Sequence, residues 1–389
     1  MTTETLQFSS KERDRRFAEL RTALKDNGFA AIALSGQHHI FGEAALRYYT
    51  NTMVLPSAVN LLLISVDDDP ILFVDKPTDQ YWVSRLSWIS DVRLSPNHIH
   101  ESLADEIHAR WGTGDRIAVN GLIGWRAVDY LTLTNRNPGV EFIDADAMLM
   151  NLRGNKSEEE AHFVREATRV CSLAQEVFAA SVRPGMSQAE AVAPVEHAIR
   201  AEGVEDRLWL MTSRYDDGAA WVPRDDKFIT ATDPIVFSAE IVRGGGYGSQ
   251  IVRTYSPTEP TGQYRDMFSV RAEIRDRIAD WLRPGVVLRD FAKQVIELGA
   301  TAGLNVQQLG HSVGVDMADD PFINVSPDGY RDLGEWTVEA GQFFAIHPML
   351  RPAVATPPLV WIGDVYSVGE DTTSLVEHNL PAVPEHLGW

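Results

Sequence analysis

Residues 307–322 read QQLGHSVGVDMADDPF, and the order of the segments around this stretch indicates which fold the chain adopts. His311 is the only histidine of the stretch and stands between two glycines, at 310 and 314. Asp316, Asp319 and Asp320 follow it. An acidic cluster of this kind usually forms a solvated loop or a helix cap. If one of these aspartates pointed inward, it would raise the pKa of a neighbouring imidazole.

Before this stretch, the chain shows an internal repeat with an offset of one hundred residues. Arg-Pro-Gly occurs at 183–185 and again at 283–285, each time before a helix-patterned segment, and these segments end at Gly203 and Gly303. Pro-Gly pairs alone are common punctuation. Three coincident offsets indicate a duplicated α-β unit whose copies form one pseudo-symmetric domain.

Strand-like segments follow each copy of the helix. The first copy has PIVFSAEIV and GSQIVRTYS, joined by the glycine-rich RGGGYG at 243–248, and the second has QFFAIHPML and LVWIGDVYSV. Glycines permit the positive φ of a hairpin turn. We expect the two pairs of strands to face each other across a central cleft.

The first half of the chain alternates between helical and strand-like patterns. Residues 11–27 have helical spacing and end at Gly28. Strand-like runs recur at the positions 59–66, 70–75, 116–121 and 140–145, with a helical segment at 100–111. This alternation predicts the α/β (α+β) class, with a sheet of its own.

The composition changes near Asn151, where an apolar segment gives way to a turn and to Ser157, a predicted helix N-cap. We therefore predict two domains, at 1–150 and 151–389.

The net charge excludes several classes of partner. Lys and Arg total 35 and Asp and Glu total 55, which gives a formal net charge of −20. Nucleic acids and anionic membranes attract positive surfaces, so neither is expected as a partner. The polar N-terminus lacks the apolar core of a signal peptide, and no apolar run reaches the roughly 18–20 residues of a membrane span. The single cysteine, Cys171, is expected to be a buried thiol. We expect a cytoplasmic protein.

The order and spacing of five segments resemble the creatinase, prolidase, aminopeptidase P and methionine aminopeptidase superfamily, which has the pita-bread fold. The segments are LRGNKSEEE, GGGYGSQIVRTYS, LGHSVG, VEAGQFFAIHPML and IGDVYSV. The resemblance implies a creatinase-like N-terminal α/β domain, followed by a pita-bread domain built of duplicated α-β units.

In the metal-dependent members of that superfamily, two aspartates, one histidine and two glutamates hold two divalent cations. Here the corresponding positions are Ala239, Gln250, His311, His347 and Gly363, so only the histidine is kept. Two dications need negative charge from their ligands, which this set does not supply. No metal and no other cofactor is therefore predicted.

Two carboxylates adjoin the lost ligands. Glu240 follows Ala239, and Asp364 follows Gly363. Adjacent side chains of a strand point to opposite faces, so neither is expected to replace a ligand unless a bulge shifts the register.

Creatinase is the precedent in this superfamily for hydrolysis without metal, and GHSVG and the Pro-Met pair after an apolar strand resemble it. However, Ala220 stands where creatinase has its histidine base, and Val252 where it has a glutamate before Arg-Thr. Creatine is therefore not predicted as the substrate.

Three residues are predicted to be catalytic. His347 replaces a carboxylate in the middle of the cleft, and an imidazole there suits general acid/base chemistry. His311 is expected to share a proton with it, and Gln250 to orient a water or a carbonyl. The predicted substrate contacts of the second domain are Arg253, Tyr247, Trp221, Asp319, Asp320, Phe344 and Trp361. In the first domain, the resemblance implies His39, Arg47 and Tyr48, because that domain often closes the cleft of a partner subunit.

The sequence thus predicts a homodimeric, metal-independent hydrolase or lyase that acts on a C–N bond or an activated C–C bond of a small molecule. Two alternatives remain open. One is a non-catalytic module that binds peptides or other ligands, and the other is an Xaa-Pro-type metallopeptidase with relocated ligands.

Overall fold

The computed structural model describes residues 8–37, 44–56, 58–121, 125–214, 217–315, 318–323, 336–354, 358–381 and 386–389. The chain divides into two compact units, Met1–Arg153 and Gly154–Trp389. Within the described ranges, none of the helices is both long and apolar enough to span a membrane.

The first unit contains one mixed sheet flanked by helices. Its described strands are β1 (Ala31–Gln37), β2 (Val59–Ser65), β3 (Ile71–Val74), β4 (Asp91–Leu94), β5 (Arg116–Val119) and β6 (Glu141–Asp144). The helices are α1 (Ser10–Asp26), α2 (Ala44–Thr50), α3 (Pro77–Leu86), α4 (Ile99–Arg110), α5 (Ala127–Arg136) and α6 (Asp146–Gly154), the last of which reaches the boundary between the units. The strand order is β4-β3-β2-β1-β5-β6.

Local sequence explains how this unit begins. The Ser9 side chain caps α1 by accepting a hydrogen bond from the Glu12 N–H. The helix stops at Asn27 because Gly28 takes a positive φ of 68°, which favours glycine. Every residue of β2 and β3 is buried, as expected for strands covered on both faces. The predicted α/β alternation is confirmed.

The second unit contains four helices and eleven strands among the residues that the structure describes. The helices are α7 (Glu158–Ser181), α8 (Gln188–Ala201), α9 (Gly262–Trp281) and α10 (Leu288–Thr301). The strands are β7 (Val204–Thr212), β8 (Ile235–Arg243), β9 (Gly248–Tyr255), β10 (Leu304–Gln307), β11 (Gly310–Ser312), β12 (Asp319–Ile323), β13 (Phe343–Ile346), β14 (Met349–Pro352), β15 (Val360–Trp361), β16 (Asp364–Val368) and β17 (Thr373–Leu375).

These strands form three sheets, in the orders β7-β8-β9, β10-β14-β15 and β12-β11-β13-β16-β17. An isolated bridge between Val252 of β9 and Gly363 joins the first copy of the repeat to the second. The region where these strands meet is the position of the cleft predicted from the sequence.

The duplication predicted from the sequence is visible in the backbone. Helices α8 and α10 begin and end one hundred residues apart. Gly185 and Gly285 have φ of 89° and 85°, and Gly203 and Gly303 have φ of 77° and 71°. Each Arg-Pro-Gly turn therefore repeats the same positive-φ geometry, which explains why glycine occupies all four positions.

Two further local predictions hold in this unit. Ser157 caps α7 in a capping box with Glu160, which satisfies two backbone N–H groups. The turn between β8 and β9 uses Gly244, Gly245 and Gly246 at positive φ. Cys171 is buried on α7, and burial raises the pKa of its thiol.

Candidate functional site

The register of β8 and β9 decides which side chains enter the cleft. Glu240 lies directly opposite Gln250, and Ser238 lies opposite Val252. Residues directly opposite each other share a face of the sheet, so Glu240 and Gln250 point the same way. Ala239 is on the other face, in the apolar core formed with α7 and α8. The prediction that Glu240 points away from the cleft is therefore wrong, because the hairpin pairs it with Gln250 without any bulge.

Glu240, Gln250 and His311 form one continuous hydrogen-bonded chain. The Gln250 side-chain nitrogen lies 3.1 Å from Glu240 Oε1 and 3.0 Å from Ser238 Oγ, and its oxygen lies 2.8 Å from His311 Nε2. His311 Nδ1 lies 2.8 Å from the carbonyl oxygen of Ser312. All five residues in these contacts are buried, so every proton in this chain needs a defined donor and acceptor.

Two proton arrangements satisfy these contacts. In the first, the Gln250 N–H groups donate to Glu240 and both ring nitrogens of His311 donate, which requires an imidazolium, whose charge a Glu240 carboxylate balances. In the second, the Gln250 amide is turned by half a rotation, its N–H donates to a neutral His311, and its carbonyl accepts from a protonated Glu240. Burial raises the pKa of Glu240 to about 8 and lowers the pKa of His311 to about 4. Burial therefore favours the second, neutral arrangement.

His347 completes a polar cluster, defined here as Glu240, Gln250, His311 and His347. The two imidazole rings lie edge to face with their centroids 5.1 Å apart. His347 Nδ1 lies 3.0 Å from the carbonyl oxygen of Gln308 and 3.2 Å from the indole nitrogen of Trp361. The carbonyl can only accept, and the indole N–H has a nearer acceptor in the main-chain oxygen of His347 at 2.8 Å, so these contacts favour a proton on Nδ1. Its Nε2 is buried and has no hydrogen-bond partner among the described residues. Burial, with a smaller effect of His311, lowers the pKa of His347 to about 3. The lone pair on Nε2 is therefore available at neutral pH.

An apolar wall adjoins the polar cluster. It consists of Val236, Val252, Met349, Leu359 and Trp361. The Trp361 indole N–H donates to the main-chain oxygen of His347 at 2.8 Å and holds that residue against the wall. Ala220 packs on the wall, and the neighbouring Trp221 is 66% exposed. The five residues of the wall are themselves buried, so they form an apolar layer packed directly beside the polar cluster.

The structure therefore brings His347, His311, Gln250 and Trp361 together, and it places Trp221 next to the wall. Asp319 is buried on β12, opposite Ser312, and its charge favours the protonated form of His311, although burial has the larger effect. Asp320 is half-buried, and its N–H donates to Asp319 Oδ1 at 3.1 Å. Asp316 lies outside the described residues.

Three of the predicted substrate contacts in the second unit lie away from the cluster. Arg253 is on the face of β9 opposite to Gln250, and its guanidinium is 2.6 Å from Asp364. Phe344 lies opposite Ser312 in the register and packs in the core beneath α9 and α10. Tyr247 is buried, with its hydroxyl 2.5 Å from Glu160. These three predictions are corrected. Either the alternation of side chains along a strand or packing in the core directs each of these side chains away from the polar cluster.

The predicted contacts of the first unit are also corrected where the structure describes them. Arg47 and Tyr48 lie on α2 and are buried. The guanidinium of Arg16 stacks on the Tyr48 ring at 4.0 Å, so that ring is packed within its own unit. His39 lies outside the described residues.

Comparisons with known proteins agree with this architecture. Residues 162–376 match the model of metallopeptidase family M24, and residues 16–154 match that of the creatinase/prolidase N-terminal domain. A curated Xaa-Pro dipeptidase of Pyrococcus furiosus is 21% identical over 63% of this chain and 69% of its own length. A probable dipeptidase PepE of Mycobacterium tuberculosis is 26% identical over 53% of this chain and 56% of its own length. The crystal structure of dipeptidase PepE from Mycobacterium ulcerans has a TM-score of 0.81 at 21% identity, covering 98% of this chain and 100% of that one.

These matches confirm the predicted fold class, a creatinase-like domain followed by a pita-bread domain. They overturn the prediction of a metal-independent hydrolase or lyase of small molecules, because the family model is that of metallopeptidases and the curated relatives are named dipeptidases. Of the alternatives that the sequence left open, they favour the Xaa-Pro-type peptidase. The coarser prediction of a hydrolase agrees with the family.

The residues of this chain do not fit the pair of cations that the family name implies. Ala239 faces the core, and Gly363 has no side chain. Gln250 is neutral and already engaged at both ends of its amide. The cluster contains one carboxyl group, which burial keeps protonated. Within the described ranges, no three His, Cys, Asp or Glu side chains are placed to hold a metal ion.

A substitution at Gly363 tests directly whether this position can hold the metal ligand of the family. A Cβ atom at position 363 would lie 2.3 Å from the Cβ of His347, so the chain has no room there for any side chain. We expect Gly363→Ala to lower the free energy of unfolding by about 1–3 kcal/mol, the usual cost of overpacking a core. Urea denaturation measures the change.

The matched control is Gly112→Ala, because a Cβ at position 112 meets no atom within 4 Å. Equal stability of the two variants would show that position 363 has room for the glutamate of the family.

Proposed function

Because this chain belongs to metallopeptidase family M24, we propose that it hydrolyses the peptide bond of short peptides, with Xaa-Pro peptides as the first candidates. One observation carries the proposal: the Nε2 atom of His347 is buried in the cleft without a partner among the described residues. An unpaired buried acceptor costs folding free energy. Such an atom is expected where a ligand or a reacting proton supplies the partner.

In the proposed reaction, water adds to the carbonyl carbon of the scissile bond. His347 Nε2 accepts the proton that the water loses, and the Nδ1–H bond to the Gln308 carbonyl keeps the ring in the required tautomer. The C–N bond then breaks, and the leaving nitrogen takes the proton from His347. The water oxygen ends in the new carboxyl group.

The chain from Glu240 through Gln250 to His311 supplies the second proton site. Its two arrangements contain the same number of protons and differ in whether the proton resides on Glu240 or on His311. The cluster can therefore place positive charge next to His347 or withdraw it, while Gln250 changes only the orientation of its amide. Such coupling adjusts the proton affinity of His347 during the reaction.

The apolar wall is suited to the side chain of the substrate. Trp361 and Met349 are 4% and 6% exposed, so a proline ring or another apolar side chain reaches only the outer edge of the wall. The apolar area that leaves water there is worth about 25 cal/mol per Å². Trp221 lies beside the wall with an exposed ring, where it extends the contact for a longer substrate.

A pH profile of hydrolysis tests the assigned roles. The proposed active form has neutral histidines and a protonated Glu240. We expect kcat/KM for a peptide such as Ala-Pro to rise as the pH increases through about 4, the pKa of His311, and to fall above about 8, the pKa of Glu240. Chromatographic detection of free proline across the pH range measures this.

The control is Glu240→Gln, which keeps a hydrogen-bonding side chain of similar size but does not titrate. We expect this variant to lose the alkaline limb and to keep the acid limb. The assignment fails if the limbs lie near the ordinary values for histidine and glutamate, about 6.5 and 4.3. An absence of proline release at every pH contradicts the proposed function itself.

A further inference from the structure

Arg351 lies on the cleft side of the small sheet β10-β14-β15. In the antiparallel pair of β10 and β14, Asn305 is opposite Arg351 and Gln307 is opposite Met349. Met349 is in turn opposite Trp361 of β15. Leu304, Val306 and Leu350 point the other way, into the core beneath α9 and α10. The face that carries Arg351 is therefore continuous with the apolar wall.

The guanidinium of Arg351 is buried and has no counter-charge among the residues that the structure describes. The residue is 8% exposed, and its Nη1 has no hydrogen-bond partner among the described residues. Its Nη2 donates to the carbonyl oxygen of Gly218 at 2.5 Å and lies 3.6 Å from the Met349 sulfur. No carboxylate in the described part of the chain forms an ion pair with it. By contrast, the buried guanidinium groups of Arg16 and Arg253 each contact a carboxylate.

A groove of about 490 Å³ opens beside this guanidinium, and the side chains of Asn305 and Gln307 line it as well. The two amides are exposed and supply N–H donors, whereas no acidic side chain lines the groove. Leaving a buried cation unpaired is costly. A site of this composition is suited to an anion that accepts hydrogen bonds in a plane, as a carboxylate does.

We propose that Arg351 binds a carboxylate of the substrate peptide about two residues beyond the scissile bond. This inference rests on the function proposed above. Nη2 of Arg351 lies 3.6 Å from the Met349 sulfur, so the guanidinium packs against the residue of the apolar wall that is two positions from His347. His347 and Met349 are two residues apart, so they span at most about 7 Å. Two residues of an extended peptide cover the same length. The subsite thus selects tripeptides cleaved after their first residue.

The carboxylate has two possible sources, the C-terminus of the peptide and an acidic side chain at the third position. Four peptides separate them: Ala-Pro-Ala as the free acid, Ala-Pro-Ala as the C-terminal amide, Ala-Pro-Glu as the amide, and the dipeptide Ala-Pro. We expect the wild type to cleave the free-acid tripeptide about 10- to 100-fold more efficiently than its amide, the usual effect of a charge-assisted bidentate contact. If Ala-Pro-Glu amide is cleaved as efficiently as the free-acid tripeptide, Arg351 contacts the acidic side chain of the third residue.

The variants are Arg351→Met and Arg351→Lys, with Arg265→Met as control, because Arg265 is an exposed arginine of α9 outside the groove. We expect Arg351→Met to remove the preference for acid over amide, Arg351→Lys to keep part of it, and Arg265→Met to keep all of it. Because Arg351 is a buried charge without an ion-pair partner in the described part of the chain, Arg351→Met is expected to melt no lower than the wild type.

A binding measurement separates this proposal from the proposed function. N-acetyl-Pro-Ala carries an acetyl group in place of the first residue, so it serves as a ligand that has no amino-terminal residue to release. It is titrated by calorimetry as the C-terminal acid and as the C-terminal amide. Tighter binding of the acid by the wild type, lost in Arg351→Met, supports the subsite even if no peptide is cleaved. Equal binding of acid and amide by the wild type, or unchanged binding by Arg351→Met, overturns it.

Discussion

Replacing His347 with alanine is expected to lower kcat/KM for the best peptide substrate by about 100- to 10,000-fold, the usual contribution of a positioned general acid or base. The variant removes the unpartnered Nε2 atom and leaves the backbone contacts of the site in place. The Trp361 N–H still donates to the main-chain oxygen of residue 347, and the residue 347 N–H still donates to the Leu309 carbonyl. The loss should therefore be in turnover, with folding kept.

The matched control is His197→Ala, which removes an exposed histidine of α8 in the same unit. His347→Gln keeps a polar side chain but lacks a basic nitrogen, so we expect it to be as impaired as the alanine variant. Circular dichroism confirms that each variant folds, and steady-state kinetics gives kcat/KM. If His347→Ala retained wild-type activity, His347 would be a space-filling residue and the proposed mechanism would be wrong.

The second large effect concerns Asp364, which holds the buried ion-pair network behind the cleft. Its carboxylate lies 2.6 Å from Arg253, 3.1 Å from His378 and 3.4 Å from Arg271. We expect Asp364→Asn to lower the free energy of unfolding by about 3–5 kcal/mol, because it leaves two buried guanidinium groups without a counter-charge. Asp290→Asn, which removes an exposed ion pair of α10, is the control and should change stability by less than about 0.5 kcal/mol.

The same network predicts how stability depends on pH. Burial alone would raise the pKa of Asp364, but Arg253, His378 and Arg271 outweigh it and hold the pKa well below the usual range. A carboxyl group with a depressed folded-state pKa stabilises the fold above its unfolded pKa, and this contribution is lost as the pH falls. We therefore expect the wild type to lose stability progressively below about pH 4, and Asp364→Asn to lack this part of the loss.

Chemical denaturation at a series of pH values measures both effects. A variant as stable as the wild type at pH 7 would show that the network does not hold the strands behind the cleft. A parallel decline of both proteins in acid would assign the loss to other carboxylates.

Much of the fold could be predicted because its signals are local. The hundred-residue offset of the Arg-Pro-Gly turns required only that glycines at positive φ recur at fixed positions, and the structure repeats that geometry. The hairpin glycines at 244–246 and the N-cap at Ser157 are likewise read from a few neighbouring residues. The homodimer, the cellular compartment and the domain boundary at residue 150 stay predictions.

The site was harder to predict, because strand parity depends on a register that no single residue sets. Assigning Ala239 to the cleft placed Glu240 on the wrong face, whereas the hairpin pairs Glu240 with Gln250. The same parity turns Arg253 away from the site and towards Asp364. Arg351 gave no signal at all in the sequence. Only the structure shows that its guanidinium is buried without a carboxylate among the described residues.

The prediction of a metal-independent hydrolase or lyase was wrong for a different reason. Replacement of the family's carboxylates changes which groups move protons, but the substrate is selected by the surrounding surface. In the function proposed here, that surface is the apolar wall with Trp361 and the groove beside Arg351. Residues that lie so far apart in the sequence are grouped only by the folded sheet.

The most direct test of the account is hydrolysis of Ala-Pro-Ala in water enriched in oxygen-18, with the products followed by mass spectrometry. We predict free alanine carrying one heavy oxygen in its new carboxyl group, together with unlabelled Pro-Ala. Recovery of the intact, unlabelled tripeptide after prolonged incubation with the folded protein would contradict the account and would leave the cleft as a site that binds peptides without cleaving them.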